Sequence, residues 1–225
     1  MKSLIFSFLF IGTIAAQAAP TFDRDISPTL KQQILQDLNF VNSITGNNSS
    51  GLYKQIYAKG NINGADLLKF FNQRIKNFGL DSCGGGTGVM ACVNPWLNSS
   101  TMWITPEYIK GNMPQIARIS TIFHESRHTE DNNGNWSHDN CPIPFLDDNG
   151  HDLLGIVSGV KLEGLPACDT TLYGAYGVEA ILLKNVEKNC SNCSDKMRMD
   201  AKLFGDDTIY RVSNITARQQ LRNDN

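Results

Sequence analysis

The sequence predicts an α+β domain stapled by disulfides, and three observations carry that expectation. Apolar residues recur at spacings of three and four in several segments, which is the period of helices with one buried face. The run "STMWIT" at 100–105 is rich in β-formers and alternates in character, which marks a strand. Six cysteines follow an apolar leader, and an even number in an exported chain points to a disulfide framework.

The leader has the three parts of a transport signal. Lys2 is the basic start, "LIFSFLFIGTIAA" is the apolar run, and Ala16-Gln17-Ala18 fits the small-x-small cleavage pattern. Residues 1–18 are therefore expected to be removed, leaving 19–225 as one domain in the periplasm or outside the cell. The run is too short to span a bilayer with comfort and no later stretch is long enough, so no stable membrane insertion is expected afterwards. A net charge of −2 with the signs mixed excludes the basic face that nucleic acid needs.

Along the chain, Ser27-Pro28 opens a helix as N-cap and first residue. Leu30, Ile34, Leu38 and Val41 form its buried face, and Thr45-Gly46 stops it. "NNSS" at 47–50 reads as a loop. A second helix is expected from about Ala65 to Phe78, with Leu67, Leu68, Phe71 and Ile75 inward and Gly79 as C-cap. "CGGGTGVMAC" matches neither phosphate-binding glycine pattern and reads as a turn closed by Cys83–Cys92. The strand at 100–105, a candidate edge strand, ends at Pro106. Asn112 is expected to cap the next helix, with Pro114 in its first turn and Ile116, Ile119 and Phe123 as its apolar stripe. "YGAYGVEAILLKNVEK" forms another helix through Val178, Ile181, Leu182 and Val186. "DTIYRVS" reads as a strand and "ARQQLRNDN" as a polar tail.

Six cysteines allow 15 pairings that sequence does not rank; proximity suggests Cys83 with Cys92 and Cys190 with Cys193, leaving Cys141 with Cys168. That last bond would stiffen the segment after the histidines. A redox or thiolate-zinc role for Cys190-Ser-Asn-Cys193 is disfavoured, because the pair follows a helix and no second such motif exists.

The chemistry gathers in "TIFHESRHTEDNNGNWSH" at 121–138, which holds three of the chain's four histidines. His124 and His128 are one helical turn apart, so both imidazoles project to the same side and each can give one nitrogen to a single Zn2+ ion. Glu125 points off the same end, placed to take a proton from a water on that ion as general base. His-Glu-x-x-His thus encodes two ligands and a base in five residues.

This arrangement resembles the zincin metallopeptidases, in which a strand lines the substrate groove above a His-Glu-x-x-His helix. The resemblance covers roughly residues 100–140. It implies a zincin-like fold with the active-site helix packed on a small sheet, zinc as cofactor, and hydrolysis of a peptide or protein substrate. His138 is the leading third ligand, reached if the chain stops at "DNNG" and returns, since histidine is the commonest zinc ligand. The strict metzincin pattern fails, because its third histidine would fall on Gly134. The spacing looks more like that of Spartan-type zincins. Glu179 on the downstream helix, as in gluzincins, is the first alternative. Asp169 in "CDTTLYG", similar to the aspzincin Asp-x-x-Tyr-Gly element with one extra residue, is the second. Tyr173 and Tyr176 are candidate donors to an oxyanion. Arg127 and Glu130 read as a helix-surface pair, and His151 as a loop residue. Two other outcomes stay open at this point. One is a secreted binding or inhibitory module of zincin shape without turnover; the other is a zinc amidase acting on a non-peptide amide such as cell-wall material.

Overall fold

The structure is a computed structural model that describes residues 19–85, 88–130, 137–147, 149–156 and 159–224. The leader at 1–18 and the expected stop "DNNG" at 131–134 lie outside the described residues. The elements run β1 (Thr21–Phe22), α1 (Pro28–Ser43), α2 (Gly51–Ile56), α3 (Gly64–Arg74), β2 (Asn77–Leu80), a 3-10 turn (Cys83–Gly85), β3 (Ala91–Asn94), α4 (Pro95–Asn98) and β4 (Ser99–Ile104). They continue with α5 (Pro106–Lys110), α6 (Gln115–His128), β5 (Asp139–Asn140), β6 (Pro166–Cys168), α7 (Ala175–Asn189), α8 (Asp195–Tyr210) and α9 (Ile215–Asn223). The molecule is thus a mixed helix-and-sheet fold. No described helix is long and apolar enough to cross a membrane.

Local capping explains where α1 starts. Ser27 Oγ accepts the Leu30 N–H at 3.2 Å, with Pro28 as the first helical residue. Leu30, Ile34, Leu38 and Val41 are buried as the spacing requires. The second expected helix is shorter than its periodicity: α3 ends at Arg74, and Ile75 is already extended. Phe78 lies three residues after Ile75, so it fits a helix, but it also alternates with Leu80 and belongs to β2. Gly79 is not a C-cap. A Cβ there would meet the Trp103 ring at 2.5 Å, so the strand needs glycine where β2 runs beside β4.

The main sheet has the order β1-β2-β4-β3, with β1, β2 and β4 parallel and β3 antiparallel to β4. The strand at 100–105 is therefore interior, not an edge. The edge on that side of the sheet is β3, in the segment read only as the end of a disulfide turn. Cys83–Cys92 does form, and it ties β3 back to the chain leaving β2.

At the centre lies α6, which touches α1, α3, α7, α8, β3 and β4. Eleven of its residues are buried, so the helix is enclosed on several sides and not by one apolar stripe alone. Asn112 does not cap it. That residue has φ of 42°, a left-handed turn that asparagine tolerates, and Pro114 precedes the first helical residue without a side-chain cap. The start of α6 is fixed instead by a buried carboxylate: Asp37 of α1 accepts from Arg118 Nε and Nη2, each at 2.8 Å, and from Gln115 Nε2 at 3.1 Å. At its other end, Arg127 donates from Nε to the Tyr173 carbonyl at 2.7 Å and pairs with Glu130, which also pairs with Arg74. Arg127 and Glu130 are thus part of a largely buried tie between α3, α6 and the chain before α7, not a surface pair. Both ends of the histidine helix are held by charge-assisted bonds to other elements, which orients its side chains.

Two further readings change. "DTIYRVS" is not a strand: α8 runs to Tyr210, and beyond it only an isolated bridge joins Val212 to Asp169. Its β-branched residues misled, but Ala201, Gly205, Thr208 and Ile209 sit at helical spacing and face inward, and Gly205 lies against Leu183 of α7. "ARQQLRNDN" is mostly α9, docked through Ala217 and Leu221, with Lys184 donating to the Leu221 and Arg222 carbonyls at its end.

Residues between β5 and β6 form a lobe of their own. Its small core is Cys141, Phe145, Leu153, Leu162 and Cys168, separate from the main core, and Cys141–Cys168 is bonded. Cys190–Cys193 closes the end of α7.

Candidate metal centre

His124 and His128 leave the same side of α6, as positions four apart must. His138 lies beside them. The three Nε2 atoms lie 3.1 Å (His124 to His138), 3.1 Å (His128 to His138) and 3.2 Å (His124 to His128) apart. They are the one group among the described residues spaced to share an ion. Three nitrogens each about 2.0–2.1 Å from one ion, subtending about 100° at it, have this separation.

The other ring nitrogens fix the tautomers. His124 Nδ1 lies 3.0 Å from Glu179 Oε2, and His138 Nδ1 lies 2.9 Å from Asp169 Oδ1. A carboxylate only accepts, so in each pair Nδ1 carries the proton and Nε2 presents a lone pair. Two lone pairs then face each other at 3.1 Å with no proton between them, a repulsion that a shared cation would relieve. Burial, and next the neighbouring His138, hold the His124 imidazole neutral by lowering its pKa well below the ordinary value. A neutral imidazole is the form that ligates a metal.

The three competing third ligands therefore take different places. His138 joins the cluster, while Glu179 and Asp169 each orient one of its histidines from behind. Asp169 does more. Its Oδ2 accepts the Tyr176 N–H at 2.8 Å, capping α7, whose N-cap Gly174 has no side chain to do so. A Cβ on Gly174 would meet Asp169 Oδ2 at 2.4 Å, so glycine is what admits the carboxylate.

Glu125 follows His124 and lines the same cleft, nine-tenths or more buried. Burial first, then the charge of Glu179, push its carboxyl up to about 8, against a hydrogen bond from the Val93 backbone. A cation at the histidines would act in the opposite sense and favour the carboxylate. Of the two tyrosines, Tyr173 is not brought to the cluster: it is 41% exposed and its hydroxyl donates to Gln55 at 2.9 Å. Tyr176 is there. Its ring stacks on His138 and meets His124 edge-on, each with centroids 4.5 Å apart. Burial pushes its phenol up to about 12. His151 is an exposed loop residue beside Asp147.

The cluster opens into a cleft of about 710 Å³. One wall is the edge strand, through Met90, Ala91 and Val93; the lobe faces it with Ile156, Val160 and Leu165. The sequence reading missed the third wall, from α8, which contributes Thr208 and, just past its end, Arg211. Arg211 donates from Nη1 to the Tyr176 hydroxyl at 3.1 Å and from Nε to Asp207 at 3.2 Å. Helical spacing of Phe204, Thr208 and Arg211 could have marked that wall, had 207–213 not been taken for a strand. Comparison with family models, curated proteins and solved structures finds no match.

Proposed function

We propose that the protein is an exported zinc-dependent metallopeptidase of zincin type. The observation that carries this reading is the convergence of three imidazole Nε2 atoms beside a buried glutamate one residue along the same helix. Three imidazole nitrogens suit zinc and would leave a fourth position open, as catalytic zinc sites require. Zinc, when bound, lowers the pKa of a coordinated water toward neutrality.

Glu125 takes the proton from the attacking water and delivers it to the leaving amine. Tyr176, with Arg211 donating to its oxygen, keeps its own O–H free to donate to the developing oxyanion. The antiparallel edge strand β3 along the cleft suits an extended peptide lying beside it, with the Val93 N–H already given to Glu125. Three disulfides, an N-terminal leader and the lack of a spanning helix among the described residues accord with export.

The test is metal analysis joined to a substrate screen. The purified protein is expected to carry one zinc per chain, lost in His124→Ala, and to cleave an unfolded protein substrate. A strong chelator abolishes cleavage and added zinc restores it. A zinc-loaded protein inert toward every peptide would leave a binding module or an amidase acting on other bonds.

A further inference from the structure

The third ligand is the one that α6 does not supply, and its delivery depends on a disulfide. His138 lies three residues before Cys141, and its carboxylate partner Asp169 directly follows Cys168. The Cys141–Cys168 bond, closing a separation of 27 residues, therefore fastens the lobe at the point where His138 Nδ1 and Asp169 Oδ1 meet at 2.9 Å. Asp169 is itself tied to the main body by backbone bonds to Arg211 and Ser213 and by its cap on α7, so what the disulfide secures is the chain that carries His138. The lobe's strands β5 and β6 span two and three residues, and its core is Phe145, Leu153 and Leu162 packed on the two cysteines themselves. So small a core cannot offset the conformational entropy of ordering such a segment without a cross-link. The main core, by contrast, spans α1, α3, α6, α7 and the sheet and does not include this bond.

We propose that the Cys141–Cys168 disulfide gates metal uptake: the reduced chain folds its main core but presents only His124 and His128, and the three-histidine site forms when the two thiols are oxidised. This rests on the reading of the three histidines as the metal site. In the gating step the two S–H bonds break and one S–S bond forms. Two electrons and two protons pass to a disulfide oxidant, which leaves as a dithiol. Cys141 and Cys168 are 2% and 0% exposed, so the finished bond is shielded from thiols and the latch is set during folding. A hydrolase built this way stays incomplete in a reducing compartment and is assembled in an oxidising one.

The experiment compares zinc affinity, by competition with a chromophoric chelator, among four proteins: wild type, Cys141→Ser/Cys168→Ser, Cys190→Ser/Cys193→Ser and His138→Ala. Backbone hydrogen exchange is followed in each. The Cys141→Ser/Cys168→Ser protein is expected to bind zinc at least about 100-fold more weakly than wild type, beyond what loss of an outer partner costs. Its affinity should match that of His138→Ala. Exchange should rise across 137–169 while α6 and α7 stay protected. The Cys190→Ser/Cys193→Ser pair should keep wild-type affinity. Wild-type affinity in the Cys141→Ser/Cys168→Ser protein overturns the gate, and so does loss of protection throughout α6 and α7, since the bond would then hold the whole domain. A wild-type protein that binds no zinc overturns the site itself.

Discussion

Glu125→Gln is expected to bind one zinc per chain like the wild type and to hydrolyse peptides about 10²–10⁴-fold more slowly, the range a positioned general base contributes. The amide keeps the shape of the side chain in its buried place but cannot accept the proton of the attacking water. Steady-state kinetics on the metal-loaded variant, with zinc content measured on the same sample, read both halves of the expectation. The metal-stripped protein gives a second, independent signature. Glu125 is raised from 4.5 to about 8 by burial, so the folded protein holds that proton more tightly than the unfolded chain does. The associated stability is complete below about pH 4.5 and is lost as pH rises toward 8; the glutamine variant should lack this decline. Denaturant titrations of the two metal-free proteins at pH 5 and pH 8 measure it. Retained hydrolysis in Glu125→Gln would remove the mechanism.

The second large effect separates ligands from the groups behind them. Asp169→Asn and Glu179→Gln each leave the three histidines in place but take away the carboxylate that fixes one tautomer, and each should weaken zinc binding about 10–100-fold. His138→Ala removes a donor outright and should fall beyond that range. Asp169 also caps α7 through the Tyr176 N–H, so its variant should melt earlier than Glu179→Gln as well. If either carboxylate variant lost more zinc affinity than His138→Ala, the inner and outer positions would be exchanged.

These contrasts mark what local sequence could and could not convey. The helical repeat is a short-range property, so α1, α6 and α7 were legible in their apolar spacing and His124, Glu125 and His128 in theirs. The three disulfides are the pairs that proximity along the chain suggested, out of 15 pairings that sequence does not rank. Among the candidate third ligands sequence favoured His138 without fixing it, because the choice depends on contacts between residues 31 and 55 positions apart, His138 to Asp169 and His124 to Glu179. All three candidates do reach the site; only their order around the histidines required the fold. The edge strand escaped notice because β3 is four residues long and follows a glycine-rich turn. The α8 wall with Arg211 was hidden by β-branched residues that packing against α7 overrides. Residue Phe78 satisfied two periods at once, and only its place beside Phe22 and Met102 in the sheet decides between them.

Three histidines sharing one ion would leave its remaining position to the cleft. Diffraction from zinc-loaded crystals on either side of the zinc absorption edge tests this most directly. One anomalous peak per chain is expected, about 2.0–2.1 Å from the Nε2 atoms of His124, His128 and His138, with the carboxylates of Glu179 and Asp169 further away. A peak elsewhere, no peak at the histidines, or a carboxylate oxygen of Glu179 or Asp169 bound in place of a ring nitrogen would contradict the shared site.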